Sequence, residues 1–252
     1  MTGMGKWEGR VALVTGASDG IGAATAQRLL KEGMRVVGCA RRQERVAEIL
    51  AEVDPSGERS MAVKVDLRDE AQIKELFEHI RQQWGGVDVL INNAGFGHHA
   101  PLMSGETALW RDMFEVNVIA LCVCTREAVQ DMQRRGFGGH IIHVSSMAAH
   151  RVPGGSGVYS ATKFAVRSLT EGLRAELHAA GSGIRVSALS PGFVETGFAA
   201  HYHQSEEKAQ QTYSRYKVLE AVDMAETVVY MLSCPAHMQV HDVLIRPTEQ
   251  PN

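Results

Sequence analysis

Short runs of apolar residues alternate along the chain with longer stretches whose apolar positions recur every three to four residues. The runs at Val11–Val14, Arg35–Ala40, Met61–Val65, Val87–Ile91, His140–Ser145, Ile184–Ser190 and Val243–Ile245 predict seven strands. The periodic stretches at 21–32, 43–53, 70–84, 108–134 and 158–180 predict helices. The strands are apolar almost continuously rather than at every second residue. Both faces of the sheet must therefore be covered, as in a parallel sheet wound by helices. Right-handed crossovers then give an α/β fold with a doubly wound, parallel, seven-stranded Rossmann-type sheet. No internal repeat or low-complexity linker interrupts the alternation, so residues 1–252 are expected to form a single domain. Only the polar stretch Ser205–Lys217, rich in Glu, Gln and Lys, breaks the rhythm. It follows the sixth strand, on the side where open α/β sheets bind ligands, and a substrate lid is expected around 193–222.

Composition changes this picture little. Hydrophobic residues make up 44% of the 252 and charged residues 22%, enough to bury a core without disulfides or a structural metal. Lys and Arg number 26 against 29 Asp and Glu, and a net charge of −3 gives no support for nucleic acid or an acidic membrane as partner. Cys39, Cys122, Cys124 and Cys234 form no C-x-x-C pair and have no His at metal-ligand spacing. They read as small buried hydrophobes, and no metal is expected. Met1–Arg10 lacks the apolar core of a secretory signal, and no run approaches the roughly 20 apolar residues of a membrane span. A cytoplasmic protein is the expectation.

Candidate chemistry begins between the first strand and the first helix, at Thr15-Gly-Ala-Ser-Asp-Gly-Ile-Gly22. Gly16 permits a tight turn, Gly20 lets backbone approach a pyrophosphate, and Gly22 allows close helix–strand packing. The helix then presents free N–H groups to phosphates, so Gly16, Ser18, Gly20, Ile21 and Gly22 are the candidate contacts. The second strand runs into Arg41-Arg42, where an NAD-binding chain would carry an acid. Guanidinium groups there suit a 2′-phosphate and point to NADP(H). Asp19, within the turn, would oppose that phosphate if it faced it.

Tyr159 and Lys163 are four residues apart at the start of a helix, so phenol and ammonium share one face. A free phenol titrates near 10, too high for a base at neutral pH. A neighbouring ammonium and an oxidised nicotinamide would both lower it. Ser146, at the end of the fifth strand, would hydrogen-bond the carbonyl oxygen that Tyr159 protonates, with Ser145 the competing candidate. Asn117, polar within an apolar helical run, would hold a water that relays protons to Lys163.

In that order the glycine turn, Asn92-Asn-Ala-Gly95, Asn117, Ser146, Tyr159, Lys163 and Pro191-Gly192 resemble the short-chain dehydrogenase/reductase family over essentially the whole chain. The resemblance implies a hydride-transferring oxidoreductase of alcohols and carbonyls, assembled as a dimer or tetramer. It implies that Asp66 and Leu67 flank the adenine, that Asn93, Ala94 and Gly95 line the cofactor cleft, and that Lys163 holds the nicotinamide ribose. Pro191, Gly192, Val194 and Thr196 would meet the carboxamide. The segments Cys234-Pro-Ala-His-Met-Gln and Arg246-Pro-Thr-Glu-Gln resemble the branch holding member eleven of the family and the insect farnesol dehydrogenases. That branch implies ketosteroids, small carbonyls or isoprenoid alcohols as substrates. A related branch oxidises 3-hydroxy acids and holds the carboxylate with a lid arginine. Here Gly197–His203 contains no Arg, which favours an uncharged hydrophobic small molecule, with Arg151 or Arg215 the residues that could still reach in. His150, Phe193, Phe198 and Tyr202 are the candidate substrate contacts beside Ser146 and Tyr159. His98 and His99, following the cleft motif, read as loop or pocket lining because adjacent residues seldom converge on one ion. A non-catalytic dinucleotide sensor is the alternative of another class, and retention of Ser146, Tyr159 and Lys163 argues against it.

Overall fold

Each apolar run becomes a strand of one parallel sheet in the computed structural model, which describes residues 3–251. The strands are β1 (Val11–Thr15), β2 (Arg35–Ala40), β3 (Ser60–Lys64), β4 (Val89–Asn92), β5 (His140–Val144), β6 (Arg185–Pro191) and β7 (Asp242–Ile245). Their spatial order is 3-2-1-4-5-6-7, so the order reverses between β1 and β4. Helices α1 (Gly20–Lys31), α2 (Gln43–Ala51), α3 (Glu70–Trp84), α4 (Thr107–Phe114), α5 (Leu121–Arg134) and α6 (Gly157–Ala179) connect them. Between β6 and β7 come α7 (Phe198–His203), α8 (Glu206–Tyr213) and α9 (Ala221–Ser233). The expected single domain has the doubly wound architecture that the uninterrupted apolar strands predicted.

Alternation along each strand feeds two cores. Ala12 and Val14 of β1 point to the face where Leu29, Leu50, Met224 and Val228 of α1, α2 and α9 pack. Val11 and Leu13 point to the other face, against Phe77, Ile80, Val123 and Leu177 of α3, α5 and α6. Local signals set the helix ends. Asp69 caps α3 by accepting the Ala71 and Gln72 N–H groups at 2.9 and 3.4 Å, and Gly85 ends it with φ of 84°.

The helix expected over 108–134 is not continuous. Glu115–Ala120 forms a π-helical turn between α4 and α5. Its cause is visible at Asn117, whose amide is occupied by a backbone outside the helix. Two further features answer to no run in the sequence: paired two-residue strands, Val194–Glu195 with Leu219–Glu220, and the split of the lid into α7 and α8.

Candidate active site

The strand order reverses beside β1, and in such sheets the crevice outside the carboxyl ends is where ligands bind. Thr15, Asn92, Val144 and Pro191 end four of the strands that reach it. The Thr15 hydroxyl accepts the N–H groups of Asn93 and Ala94, both at 3.0 Å. Asn93 Nδ2 returns bonds to the Thr15 and Gly16 carbonyls at 2.9 and 3.3 Å. The turn after β1 is thereby sewn to the segment after β4. Gly16 is held at φ +68°, and a Cβ there would lie 2.9 Å from Ala94 Cα. A Cβ on Gly22 would run into the Gly16 carbonyl oxygen and Asn93 Nδ2. Further along, a Cβ on Gly95 would come 3.2 Å from Asn117 Oδ1 and 3.4 Å from Lys163 Nζ. Close-packed glycine backbone therefore runs from the α1 N-terminus, with Ser18, Gly20 and Ile21, toward Lys163, and the free N–H groups at that helix end suit a phosphate-bearing cofactor.

At the end of β2, Arg41 and Arg42 are both exposed, and Arg42 Nη2 lies 3.3 Å from Ser18 Oγ. Asp66 pairs with Arg68 at 2.6 Å, which with the more distant charge of Arg41 holds its carboxyl below the usual range. Leu67 is buried beside it. Asp19 caps α1 through Gly20 N–H at 2.8 Å, and its second oxygen lies beside Gly197. A Cβ on Gly20 would in turn meet Thr196 Cγ2 at 2.7 Å, so the glycine turn touches the base of the lid.

Helix α6 opens at Gly157 and brings Tyr159 and Lys163 to the crevice one turn apart. Lys163 is buried, its ammonium donates to the Val144 carbonyl at 3.0 Å, and burial pulls it down to about 8. One carbonyl satisfies one of its three donors, leaving capacity for a ribose. Burial pushes the Tyr159 phenol up to about 12, with the Ser146 hydroxyl bonded to it acting in the opposite direction. The sequence predicted a phenol lowered by its lysine together with an oxidised nicotinamide; with the lysine alone, the phenol is not lowered. Burial dominates instead, because Lys163 Nζ stands beside the ring, 5.8 Å from its centre, and is itself discouraged from carrying charge. Ser146, which caps the short turn Met147–Ala149, is the serine that meets the phenol. The Ser145 hydroxyl is buried without a partner among the described residues.

Asn117 is buried, and its amide clasps Phe96 by accepting its N–H at 3.0 Å and donating to its carbonyl at 2.8 Å. A further bond runs from Nδ2 to Thr162 Oγ1 at 3.1 Å. Asn117 thus anchors the backbone after β4 while its oxygen borders the space between Gly95 and Lys163.

The lid lies directly over the phenol. The rings of Phe198 and Tyr202 stack 6.1 Å apart, and their centres stand 5.4 and 6.4 Å from that of Tyr159. All three converge on Gly97, where a Cβ would come within 2.8 Å of Tyr202, 3.1 Å of Tyr159 and 3.2 Å of Phe198. His201 joins from the lid, with Nδ1 3.3 Å from the Gly97 carbonyl and its ring 5.2 Å from Phe96. His150 is not brought to this cluster. Its Nε2 faces Asp242 at 3.1 Å and Ser190 at 3.3 Å, because the turn after Ser146 directs it toward β6 and β7. Phe193 is partly exposed, and its backbone N–H is bonded to Gln250. Arg151 is tied to the Pro251 carbonyl at 3.0 Å, and Arg215 is exposed. Val194 pairs with Leu219, and Gly192 N–H donates to the Ile245 carbonyl at 2.7 Å. His98 and His99 diverge, one toward Asp112 and one toward Tyr202, and no group of three metal-ligating side chains occurs among the described residues.

A family model described as short chain dehydrogenase matches residues 10–207. The chain belongs to the short-chain dehydrogenase family. It is 50% identical to dehydrogenase/reductase SDR family member 11 of Homo sapiens, with 98% of each chain covered. Farnesol dehydrogenase of Aedes aegypti is 40% identical, over 97% of this chain and 98% of that one. Among solved structures, the closed form of serine dehydrogenase complexed with NADP+ superimposes with a TM-score of 0.90 at 32% identity, covering 96% of both chains. This short-chain dehydrogenase is accordingly an oxidoreductase acting on CH–OH groups.

Sequence reasoning passed over Gly97, His201 and Gln250 in this dehydrogenase. Gly97 follows the Asn93–Gly95 motif by two residues, and a glycine so placed was the one available signal. Gln250 lies in the Arg246-Pro-Thr-Glu-Gln segment that carries the resemblance, but nothing in that segment tells where its side chain is bonded.

Proposed function

We propose that this dehydrogenase uses NADP(H) and interconverts a hydrophobic secondary or isoprenoid alcohol with its carbonyl compound, a ketosteroid, small ketone or aldehyde. The observation that carries the substrate class is the aromatic cover of Phe198 and Tyr202 on Tyr159, while Arg151 is engaged with the Pro251 carbonyl. Apolar rings favour an apolar body on the substrate and leave a carboxylate unpaired. The farnesol dehydrogenase among its relatives supports the same class. For the cofactor, two exposed guanidinium groups directly after β2, Arg41 and Arg42, support a dinucleotide bearing a 2′-phosphate, and Asp19 is engaged in capping α1.

When bound, a nicotinamide dinucleotide supplies the redox chemistry of hydride exchange. The chain's own residues handle the proton. Ser146 donates to the carbonyl oxygen and Tyr159 exchanges a proton with it, a task that requires its phenol to fall well below about 12. The positive charge of an oxidised nicotinamide favours the phenolate. Lys163, with a proton affinity near neutrality, connects the site toward Asn117 and water. The serine dehydrogenase likeness keeps a 3-hydroxy acid as a second reading, for which Arg151 would have to leave the Pro251 carbonyl. Homo-oligomerisation is part of the proposal, supported by exposed Phe114, Ile119 and Phe164 on one side and Val222, Tyr230 and Leu244 on another.

The test is a panel of hydrophobic ketones, aldehydes and alcohols, with serine included, assayed with NADP(H) and NAD(H). Turnover of apolar members with preference for NADP(H), lost in Tyr159→Phe while the variant still binds the dinucleotide, is the expected result. Turnover of serine alone, or a Tyr159→Phe variant as active as wild type, overturns it.

A further inference from the structure

The C-terminal tail turns back into the site. Gln250 is buried, and its side chain bridges two turns that come from different strands. Its Oε1 accepts the Phe193 N–H at 2.9 Å, in the turn after β6. Its Nε2 donates to Met147 Sδ at 3.3 Å, and Met147 follows Ser146 directly. The Ser146 hydroxyl caps that turn by accepting Ala148 N–H at 3.1 Å, so Met147 cannot shift without moving Ser146. Gly192 has no room for a side chain for the same reason: a Cβ there would run into Gln250 Oε1 and lie 2.8 Å from Arg246 Cβ. The tail is held on both sides of the glutamine. Gln250 N–H bonds the Pro247 carbonyl at 3.1 Å, and Arg151 grips the Pro251 carbonyl. An exposed chain end would need none of this, and a buried amide is costly to leave unpaired.

We infer that Gln250 is a positioning residue for the dehydrogenase reaction. It clamps the Gly192–Phe193 turn, on the nicotinamide side of the proposed cofactor site, to the turn that carries Ser146. The clamp sets how far the polarising hydroxyl stands from the ring that exchanges hydride. This rests on the function proposed above, and the experiment separates the two.

Gln250→Leu keeps the volume and removes both bonds, whereas Gln250→Glu keeps an oxygen toward Phe193 N–H. Amide hydrogen exchange on the dinucleotide-free proteins reads the clamp directly. The segment 192–194 is expected to exchange about tenfold faster in Gln250→Leu and near the wild-type rate in Gln250→Glu. With the substrate panel, kcat of Gln250→Leu falls about tenfold or more while the KM for NADPH stays within about twofold, since small misplacements at the reacting centre cost rate. Gln250→Glu, which holds Phe193 but no longer donates to Met147, recovers part of kcat. Unchanged exchange at 192–194 overturns the clamp, as does a loss of kcat matched by an equal weakening of NADPH with no recovery in Gln250→Glu. If the wild-type protein turns over no member of the panel, the proposed reaction fails and the exchange result alone decides the clamp.

Discussion

The floor and the lid of this site are built differently. The floor is backbone held by short polar side chains: the glycine turn, the Asn93–Gly95 segment and the ends of β1 and β4 are joined through the Thr15 hydroxyl and the Asn93 amide at 2.9–3.3 Å. Its strands are fully buried. The lid is a six-residue helix, an eight-residue helix and a pair of two-residue strands. What holds it is ring on ring and a few hydroxyls: Tyr213 OH to the Thr196 carbonyl at 3.1 Å, and Tyr202 OH to the Gly155 carbonyl at 3.3 Å. Segments with few buried contacts open at low free-energy cost, and a lid must open. The floor is thus the more firmly held of the two.

The largest effect expected from this contrast is on acid stability, and it belongs to the floor. His143 of β5 is buried with both ring nitrogens engaged, at 3.2 Å from Thr125 Oγ1 and 2.9 Å from Thr170 Oγ1. Thr170 spends its proton on the Val166 carbonyl, so it accepts from Nδ1–H, and Nε2 accepts from Thr125. The ring is neutral by construction, and burial pulls it down to about 3. His140, buried on the same strand against Ser187, is pulled down as well. The unfolded chain, with histidines near 6.5, binds more protons than the folded one across that window. Stability is therefore fully present above pH 6.5 and falls as pH drops toward 3. At pH 4.5 His143 alone removes about 3 kcal/mol, and His140 adds to the loss. Guanidinium unfolding at pH 7, 5.5 and 4.5 measures this, and equal free energies at all three would remove the buried neutral histidines from the account.

Next in size is Gly22→Ala. The added methyl meets the Gly16 carbonyl oxygen and the Asn93 amide, neither of which can move without undoing the bonds that join β1 to β4. Overpacking against such a wall costs about 2 kcal/mol, which lowers Tm by about 4–8 °C. Dinucleotide binding is expected to weaken with it, because the same turn is the proposed phosphate site. A variant with wild-type Tm and wild-type NADPH affinity would show that the floor gives after all.

The contrast also explains what the sequence could tell. Continuous apolar runs and the glycine spacing encode the floor locally, so seven strands and the turn at 15–22 were legible from residue order. Asn117 was legible as a residue and not as a geometry. The π-helical turn that aims it arises from its bonds to Phe96, twenty-one residues away. The lid was legible only as a break in rhythm, since the helix at 198–203 is too short for periodicity and exists through contacts with Gly97 and Tyr159. His150 shows the converse. It sits near Ser146 in sequence, yet a short helical turn points it toward Asp242. Proximity along the chain predicts placement in the floor and fails where a side chain's direction depends on a distant partner.

The smallest effect, and the one that divides floor from lid most cleanly, is Gly197→Ala. Its methyl would lie 2.5 Å from Asp19 Oδ2, nearly as crowded as at Gly22, but the obstacle is the far end of a side chain and the glycine belongs to the base of α7. Either the carboxylate rotates or the short helix shifts, and both are cheap beside moving a strand end. Tm is expected to change by less than about 2 °C. The cost appears in substrate handling, because α7 carries Phe198 and Tyr202 over the phenol and a tilt at its first residue moves both rings. Substrate KM is expected to rise about threefold with kcat little altered, the pattern of a lost contact made equally before and during reaction. Asp19→Ser keeps a side-chain oxygen to cap α1 and removes the carboxylate that crowds the methyl. In that background Gly197→Ala should leave KM where Asp19→Ser alone leaves it, since the crowding is gone. If Gly197→Ala instead destabilises the fold as much as Gly22→Ala, the lid is as rigid as the floor, and its adaptation to different substrates would have to come from exchange of side chains alone.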